Sequence, residues 1–368
     1  MKKNLIIFYP SFERGGVTKI LINLLKSKNN TKYNFHIISS ECPLKNDEMK
    51  KNFFFYKIDK SNNSYFIPQR FLTAFNAMIK LFCLLNKLDK KTIVHSMQSN
   101  IAAIIICFFK NIKIIIRNSE NPIYSTLNTE NKFFGLITFF MKLVFYNFSN
   151  GIITNSKGSA NSLRFFVFNK KKIKQIYNPY LKKINFKKYK KQKFILNIAR
   201  LRKQKDHDTL IKAFEIFLKN NKDYKLLILG HGNLKKKLSS LAHNLKISNK
   251  VIFKDWVKDT TPYLKKSKIF VLSSVYEGLG NVLIDAINFD IPCISTDCPS
   301  GPSEILLNGK GGLLVKPKSP YLLAEKMNIC INDYKKSLLK NKVAKSKLNR
   351  FLIEQNTNKY FEYLNTFY

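Results

Sequence analysis

One segment of the 368-residue chain combines carboxylates, glycines and a helix start. An apolar run at 269–272 leads into the turn 273–280, and a helix is predicted to begin near Asn281. The N–H groups at a helix start favour an anion such as phosphate. Glu277 and Asp285 flank this start, and carboxylates beside a phosphate are repulsive unless they accept hydrogen bonds from hydroxyl groups. The pattern predicts a site for a phosphorylated sugar, the alternative being one helix-capping acid and one surface acid.

A second segment offers positive charge. Arg200 and Lys205 follow the apolar run 194–198, and an Arg fork with a Lys point charge suits a diphosphate. Solvated loop cations are the alternative interpretation. The sequence Asp206-His207-Asp208 has the form of a metal-binding Asp-x-Asp, but it lies where a helix begins, so helix capping is favoured and no metal site is predicted.

Two glycine pairs are further candidates for close approach to a ligand. Gly15 and Gly16 end the loop 10–16, and Gly230 and Gly232 follow the apolar run 224–229. Neither segment has the G-x-G-x-x-G or P-loop pattern, which disfavours a dinucleotide or a P-loop triphosphate. A tight turn without a ligand explains the first pair equally well.

In the first half of the chain, His95 and Arg117 end predicted strands, and Glu120 follows Arg117. We expect these side chains to meet an acceptor or the charge that develops on a donor, although a lone strand-end histidine is more often structural. The remaining predicted substrate-binding residues lie in the second half: Val257, Gly278, Leu279, Gly280, Asn281 and Asp285.

Short apolar runs alternate with helix-length segments throughout, which is typical of βαβ units with a buried parallel sheet. In the first half the predicted strands are 5–9, 35–39, 93–96, 112–116 and 151–154. In the second half they are 194–198, 224–229, 251–253, 269–272 and 292–295. The predicted class is therefore α/β, with two Rossmann-like doubly wound domains whose ligands bind at the carboxyl ends of the strands. The predicted divisions are domain 1–178, basic linker 179–193, domain 194–345 and a C-terminal helical segment 346–368 that packs back on the first domain.

The chain carries 65 basic and 23 acidic residues, a formal net charge of +42. Such a charge favours nucleic acid, an anionic membrane surface or phosphorylated small molecules, and solvated lysine faces are the alternative. The six cysteines lack paired spacing and are expected to be reduced core residues of a cytosolic protein. No apolar run is long enough to span a bilayer. The apolar stretch 133–146 predicts either a buried helix or a helix facing a membrane.

The motifs resemble those of family 4 retaining glycosyltransferases, and the resemblance extends over the whole chain. Glu277 and Asp285 are similar to the family's Glu-x7-Glu pair, and Arg200 with Lys205 to its diphosphate-binding pair. Gly15-Gly16-Val17 resembles the family's first glycine loop, and Asn178-Pro179 resembles its interdomain Asn-Pro. Residues 295–306 are similar to a segment of members that extend lipid-linked bacterial glycans. The chain departs from the pattern at Asp285, which is one methylene shorter than Glu, and at Ala199, where Gly is usual.

The resemblance implies a GT-B fold and transfer of a hexose or N-acetylhexosamine from a nucleotide-diphosphate sugar, expected to be UDP-linked. Glu277 would contact the transferred sugar and Asp285 the ribose, with no metal or other cofactor. The expected acceptor is a lipid-linked or surface glycan, and the expected location is the cytoplasmic face of the inner membrane, through peripheral contact with its anionic leaflet. An epimerase or hydrolase of the same fold is the nearer alternative. A nucleic-acid-binding protein is the more distant one, and no nucleic-acid partner is expected.

Overall fold

A computed structural model describes residues 2–12, 15–59, 69–129 and 131–368. The chain divides into two compact units. The first unit comprises Met1–Lys182 and Phe351–Tyr368, and the second comprises Lys183–Arg350.

The first unit is built on a parallel sheet. Its described strands are β1 (Lys3–Phe8), β2 (Tyr33–Ser39), β3 (Phe53–Lys57), β4 (Ile93–Ser96), β5 (Ile114–Asn118), β6 (Gly151–Thr154) and β7 (Ile173–Gln175). Their spatial order is β3-β2-β1-β4-β5-β6-β7, and every neighbouring pair is parallel. Alternate residues of β1 belong to different core clusters, Leu5 and Ile7 to one and Ile6 and Phe8 to the other, so the sheet is covered on both faces.

The second unit repeats this arrangement with a smaller parallel sheet. Its strands are β8 (Gln192–Ile198), β9 (Lys225–Leu229), β10 (Val251–Lys254), β11 (Ser267–Leu272), β12 (Cys293–Thr296) and β13 (Leu313–Val315). They lie in the order β10-β9-β8-β11-β12-β13. The strand order reverses between β1 and β4 in the first sheet and between β8 and β11 in the second, and ligands of open parallel sheets bind at such switch points.

Helices connect the strands. In the first unit they are α1 (Gly16–Leu25), α2 (Gln69–Leu85), α3 (Asn100–Lys110), α4 (Tyr124–Leu127), α5 (Lys132–Phe145) and α6 (Lys157–Leu163). In the second they are α7 (His207–Leu218), α8 (Lys235–Asn244), α9 (Thr261–Lys266), α10 (Asn281–Asn288), α11 (Pro302–Ile305), α12 (Pro320–Asn332) and α13 (Tyr334–Lys345). The chain then returns to the first unit as α14 (Ile353–Asn365). Short 3-10 turns are Lys28–Lys32, Asn46–Glu48, Tyr146–Phe148, Lys170–Lys172, Lys203–Lys205, Ser248–Lys250 and Leu348–Phe351. In the described part of the chain, no helix is long and apolar enough to cross a membrane.

The domain boundaries differ from those predicted, because the segment 179–193 is not a separate linker. The amide of Leu181 donates to the carbonyl oxygen of Phe351 at 2.9 Å, which keeps the chain up to Lys182 in the first unit. Lys191 donates to backbone carbonyl oxygens of the second unit, those of Leu264 at 3.0 Å and Phe289 at 2.9 Å. The predicted terminal segment 346–368 is also divided, since the chain up to Arg350 belongs to the second unit.

The helix α14 packs in the core of the first unit. Tyr360, Phe361 and Leu364 share a cluster with Leu5 and Ile7 of β1. The six cysteines, all described, are free thiols: four are buried, but Cys42 is half-buried and Cys83 is exposed, so not all are core residues.

Candidate active site

Two loops at the switch point of the second sheet are connected by backbone and side-chain hydrogen bonds. One follows β8 and the other follows β11. The amide of Val275 donates to the carbonyl oxygen of Gln204 at 2.8 Å, and the amide group of Gln204 donates to the carbonyl oxygen of Tyr276 at 3.0 Å. The hydroxyl of Ser273 donates to the carbonyl oxygen of Lys205 at 2.7 Å. These bonds fix the position of the Lys205 backbone relative to the Glu277 turn.

Lys205 and Glu277 form an ion pair between these two loops. The Lys205 Nζ to Glu277 Oε1 distance is 2.5 Å, and the side chains are 19% and 8% exposed. The hydroxyl of Ser274 donates to the same Oε1 at 2.7 Å. The structure therefore brings together two residues that the sequence predicted at the donor site, Lys205 for the diphosphate and Glu277 for the sugar, and it adds Ser274 to them.

The Glu277 turn is also held from its other side. Its amide donates to the carbonyl oxygen of Pro299 at 3.2 Å, and the hydroxyl of Thr296 donates to the carbonyl oxygen of Ser274 at 2.5 Å. Gly301 has a φ of +81°, and a Cβ on it would lie 2.4 Å from the Leu279 carbonyl oxygen, so only glycine fits there. Burial, with the nearby charge of Glu277, raises the pKa of the Cys298 thiol to about 12 and keeps it protonated.

The helix α10 begins immediately after this turn. Gly280 precedes it with a φ of 85° and a ψ of 51°, the left-handed conformation that glycine tolerates best. Gly280 itself offers no side chain to cap α10, and no acid lies in the first turn of the helix. Asn281 and Asp285, both half-buried, are four residues apart and so share one face of the helix. Gly278 and Leu279 are buried in the turn.

The second glycine pair has a structural explanation. A Cβ on Gly230 would lie 1.9 Å from the Ala199 carbonyl oxygen, and one on Gly232 would lie 2.3 Å from that of Leu201. The two loops are also bonded, since the amide of Leu201 donates to the carbonyl oxygen of His231 at 2.9 Å. The glycines thus allow the loop after β9 to pack closely on the loop carrying Arg200.

The start of α7 supports the same loop. Asp206 caps the helix, accepting hydrogen bonds from the Thr209 amide at 3.3 Å and the Thr209 hydroxyl at 2.7 Å. His207 is buried, and its Nε2 lies 3.0 Å from Oδ1 of Asn197. The Asn197 amide group donates to the carbonyl oxygen of Val271 at 2.9 Å, which links β8 to β11. Burial lowers the pKa of His207 to about 4, so the ring is neutral at pH 7.

In the first unit, Arg117 is buried inside a hydrogen-bonded network. It is 2% exposed, and its guanidinium donates to the hydroxyl of Tyr360 at 2.9 Å, to Oδ1 of Asn178 at 2.8 Å and to the hydroxyl of Ser119. The substrate contact predicted for Arg117 is therefore replaced by a structural role, in which it joins β5 to α14.

His95 is likewise enclosed, so the predicted substrate contact is not available to it either. It is 0% exposed, its Nδ1 lies 3.1 Å from the carbonyl oxygen of Ile115, and its ring packs edge-on against Tyr360. Burial lowers its pKa to about 4, which leaves a neutral ring. Glu120 is exposed, and its carbonyl oxygen accepts a hydrogen bond from Asn118.

The first glycine loop follows β1 at the switch point of the first sheet. Gly15 and Gly16 are exposed at the start of α1, whereas residues 13 and 14 lie outside the described part of the chain. The amide of Ser11 donates to the side-chain oxygen of Gln98 at 2.9 Å. Sequence reasoning did not select Gln98, although its position just after β4 was the available signal. Val257 is half-buried in the loop after β10.

Comparisons with known proteins identify the class of enzyme. Residues 181–347 match the family described as "Glycosyl transferases group 1". A Campylobacter jejuni protein is 27% identical over 352 residues, covering 94% of each chain; it is named N-acetylgalactosamine-N,N'-diacetylbacillosaminyl-diphospho-undecaprenol 4-alpha-N-acetylgalactosaminyltransferase. A second C. jejuni protein, an alpha-1,4-N-acetyl-D-galactosaminyltransferase named for a PP-undecaprenol substrate, is 30% identical over 208 residues, 55% of this chain and 56% of its own. The chain is therefore a glycosyltransferase.

The fold of the enzyme is that of solved glycosyltransferases. Anabaena HepE, crystallised with UDP-glucose, superposes with a TM-score of 0.78 over 99% of both chains at 16% identity. At this identity the likeness establishes the fold, and the predicted GT-B fold is confirmed.

Proposed function

We propose that this enzyme is a retaining glycosyltransferase of family 4. It moves a hexose or N-acetylhexosamine from a UDP-linked sugar to a lipid-linked or surface-glycan acceptor, without a metal. The observation that carries the proposal is the bonded set of Lys205, Ser274 and Glu277 at the switch point of the second sheet. Two C. jejuni relatives named for undecaprenol-linked substrates support the acceptor, and the UDP-glucose complex of HepE supports the donor.

In this proposal the second unit holds the donor. Arg200 and Lys205 contact the diphosphate, the backbone amides from Gly278 to Asn281 add to the positive field, and Asp285 contacts the ribose. Glu277 accepts a hydrogen bond from a hydroxyl of the transferred sugar. Lys205 partly neutralises this carboxylate, which lets it lie beside a diphosphate with less repulsion.

The reaction exchanges one bond at the anomeric carbon for another. The bond to the diphosphate oxygen breaks and its electron pair stays on the diphosphate, while the acceptor oxygen forms the new bond on the same face of the sugar. The leaving diphosphate takes the proton of the acceptor hydroxyl. Arg200 and Lys205 stabilise the negative charge that grows on the leaving group, which is where fixed positive groups contribute most.

Transfer assays test the proposal. The full chain is incubated with UDP-sugars and with an undecaprenyl-diphosphate-linked saccharide, with and without EDTA, and the anomeric configuration of the product is read by NMR. Arg200→Ala and Lys205→Ala are expected to lower kcat/KM by about 100-fold or more, whereas Lys203→Ala, an exposed lysine of the same loop, is the matched control. Wild-type rates in both variants would contradict the diphosphate assignment. A changed or hydrolysed sugar without acceptor would favour the epimerase or hydrolase.

We further propose that the first unit binds an anionic membrane surface through α5. The sequence left open whether this helix is buried. Several of its large apolar side chains are exposed: Phe133 at 68%, Phe134 at 41%, Leu136 at 50%, Phe140 at 57% and Val144 at 55%. Among the described residues of α5, Gly135 is the buried one. An exposed apolar face on a chain with a formal net charge of +42 suits the headgroup region of an anionic leaflet.

Vesicle sedimentation tests this contact. We expect the chain to bind phosphatidylglycerol-containing vesicles more strongly than purely zwitterionic ones, and less strongly at high salt. Replacing both Phe133 and Phe140 by Ser is expected to lower the partition coefficient by about 100-fold, since each ring buried in the interface is worth on the order of 1.5 kcal/mol. Phe186→Ser, at an 83% exposed site in the second unit, is the control. Equal binding of all three proteins would exclude α5 as the membrane face, and a change in oligomeric state on the double substitution would instead indicate a self-association surface.

A further inference from the structure

The two oxygens of the Glu277 carboxylate have different surroundings. Oε1 accepts hydrogen bonds from Lys205 at 2.5 Å and from Ser274 at 2.7 Å. For Oε2, no hydrogen bond from another described residue is found. A carboxylate can accept several hydrogen bonds, so the arrangement holds one oxygen and leaves the other to a ligand.

The two donors to Oε1 differ in how firmly they fix it. The terminal torsion of a glutamate is broad, and the ammonium of a lysine is a point charge on a flexible stem that can follow a rotating carboxylate. Ser274, in contrast, is fully buried on a short side chain, and its own carbonyl oxygen is held by Thr296. The direction in which Oε2 points therefore depends on Ser274 more than on Lys205.

We propose that Ser274 is a positioning residue for selectivity among donor sugars, an inference that rests on the function proposed above. By fixing the Glu277 carboxylate, the Ser274 hydroxyl directs Oε2 at one sugar hydroxyl. A donor epimeric at that hydroxyl presents its O–H elsewhere, and a fixed buried acceptor that loses its partner discriminates strongly. Without Ser274, the carboxylate turns to meet either epimer.

The experiment compares two variants with the wild-type chain. Ser274→Ala removes the hydroxyl, and Ser274→Cys replaces it with a weak donor while filling the space. Ser267→Ala is the matched control, since Ser267 lies at the opposite end of β11, is equally buried, and donates to the Tyr263 carbonyl oxygen at 2.8 Å. The measurements are the Kd for UDP and the kcat and KM for UDP-sugar pairs that differ at one hydroxyl, such as UDP-glucose with UDP-galactose and the corresponding N-acetylhexosamines.

Both Ser274 variants are expected to bind UDP within about twofold of wild type. They should lose about tenfold in kcat with the preferred donor, and about tenfold in the ratio of kcat/KM between the epimers, the scale of one hydrogen bond to a charged group. Unchanged selectivity in either folded variant overturns the inference, as does an equal loss in Ser267→Ala. A loss confined to UDP affinity also overturns it, because that would indicate a general effect on the nucleotide site. Wild-type protein that transfers from no nucleotide sugar would overturn the proposed function itself, and the inference with it.

Discussion

Breaking the Lys205–Glu277 pair should destabilise the second unit, and the loss of stability should be larger when the more buried charge is left unpaired. Glu277→Gln keeps the shape of the side chain and an oxygen for the Ser274 hydroxyl, but it leaves Lys205 without an anion at 19% exposure. Lys205→Met leaves the carboxylate of Glu277 without its cation at 8% exposure. The more buried charge is harder to solvate, so we expect Lys205→Met to cost more than Glu277→Gln.

The magnitude follows from the cost of an unpaired buried charge. Removing one partner of a buried pair costs about 3–5 kcal/mol. The flexible Lys205 ammonium can turn toward water, so we expect about 3 kcal/mol for Glu277→Gln and about 4 kcal/mol for Lys205→Met. The double variant has no isolated charge and should lose less than the sum of the two by about 2 kcal/mol or more.

Urea unfolding followed by tryptophan fluorescence measures these changes. Trp256 is the chain's single tryptophan and lies in the second unit, so its signal reports on that unit. The control is Asp223→Asn, which breaks an exposed pair in the same unit: the Lys193 Nζ to Asp223 Oδ2 distance is 3.0 Å, with side chains 60% and 77% exposed. Because both side chains of this pair are exposed and screened by water, its loss should cost much less than the loss of either partner of the buried pair. Single-variant losses as small as the control's, or additive losses in the double variant, would refute the reasoning.

Three further outcomes are expected. Arg117→Met leaves buried polar partners unpaired and should cost about 3 kcal/mol, seen as faster hydrogen exchange in α14; exchange at the wild-type rate would contradict the structural role. Gly230→Ala should prevent folding of the second unit, because its Cβ would lie 1.9 Å from a carbonyl oxygen. Gly309→Ala is the comparison: the backbone φ is +87°, but a Cβ there would meet no described heavy atom within 4 Å apart from its chain neighbours. This variant should cost only about 1 kcal/mol. Burial lowers the pKa of Lys191 from 10.5 to about 8, so the folded state releases this proton at lower pH than the unfolded state does. The free energy of unfolding of wild type relative to Lys191→Met should therefore rise between pH 8 and 10.5 in the Trp256 assay; a constant difference would contradict this.

The strands that the sequence identified are those with continuous apolar runs, and the ones it missed lie at sheet edges. β3, β7 and β13 were not predicted, and each is an edge strand. Their residues are largely half-buried or exposed, because an edge strand has a neighbour on one side only. β5 was placed two residues too early, since its last residues, Arg117 and Asn118, are polar although buried.

Arg117 and His95 show why strand-end residues are ambiguous in sequence. Both lie at or near the carboxyl ends of strands, where ligand-binding residues are expected. What encloses them is Tyr360 of α14, more than 200 residues further along the chain: Arg117 donates to its hydroxyl, and His95 packs on its ring. Periodicity predicts that a terminal helix packs somewhere, but not that its tyrosine covers these two side chains.

The Lys205–Glu277 pair could be predicted from the sequence if the strand order were known. In the order β10-β9-β8-β11-β12-β13, the loops after β8 and β11 are neighbours, so a cation in one and a carboxylate in the other can meet. From the sequence, Lys205 was predicted to bind the diphosphate of the donor and Glu277 its sugar. A carboxylate so close to a diphosphate would be repelled by it. The ion pair reduces that repulsion before any donor binds. The proposed diphosphate then meets a carboxylate that Lys205 already partly neutralises, and Lys205 keeps two N–H donors with which to bind the diphosphate.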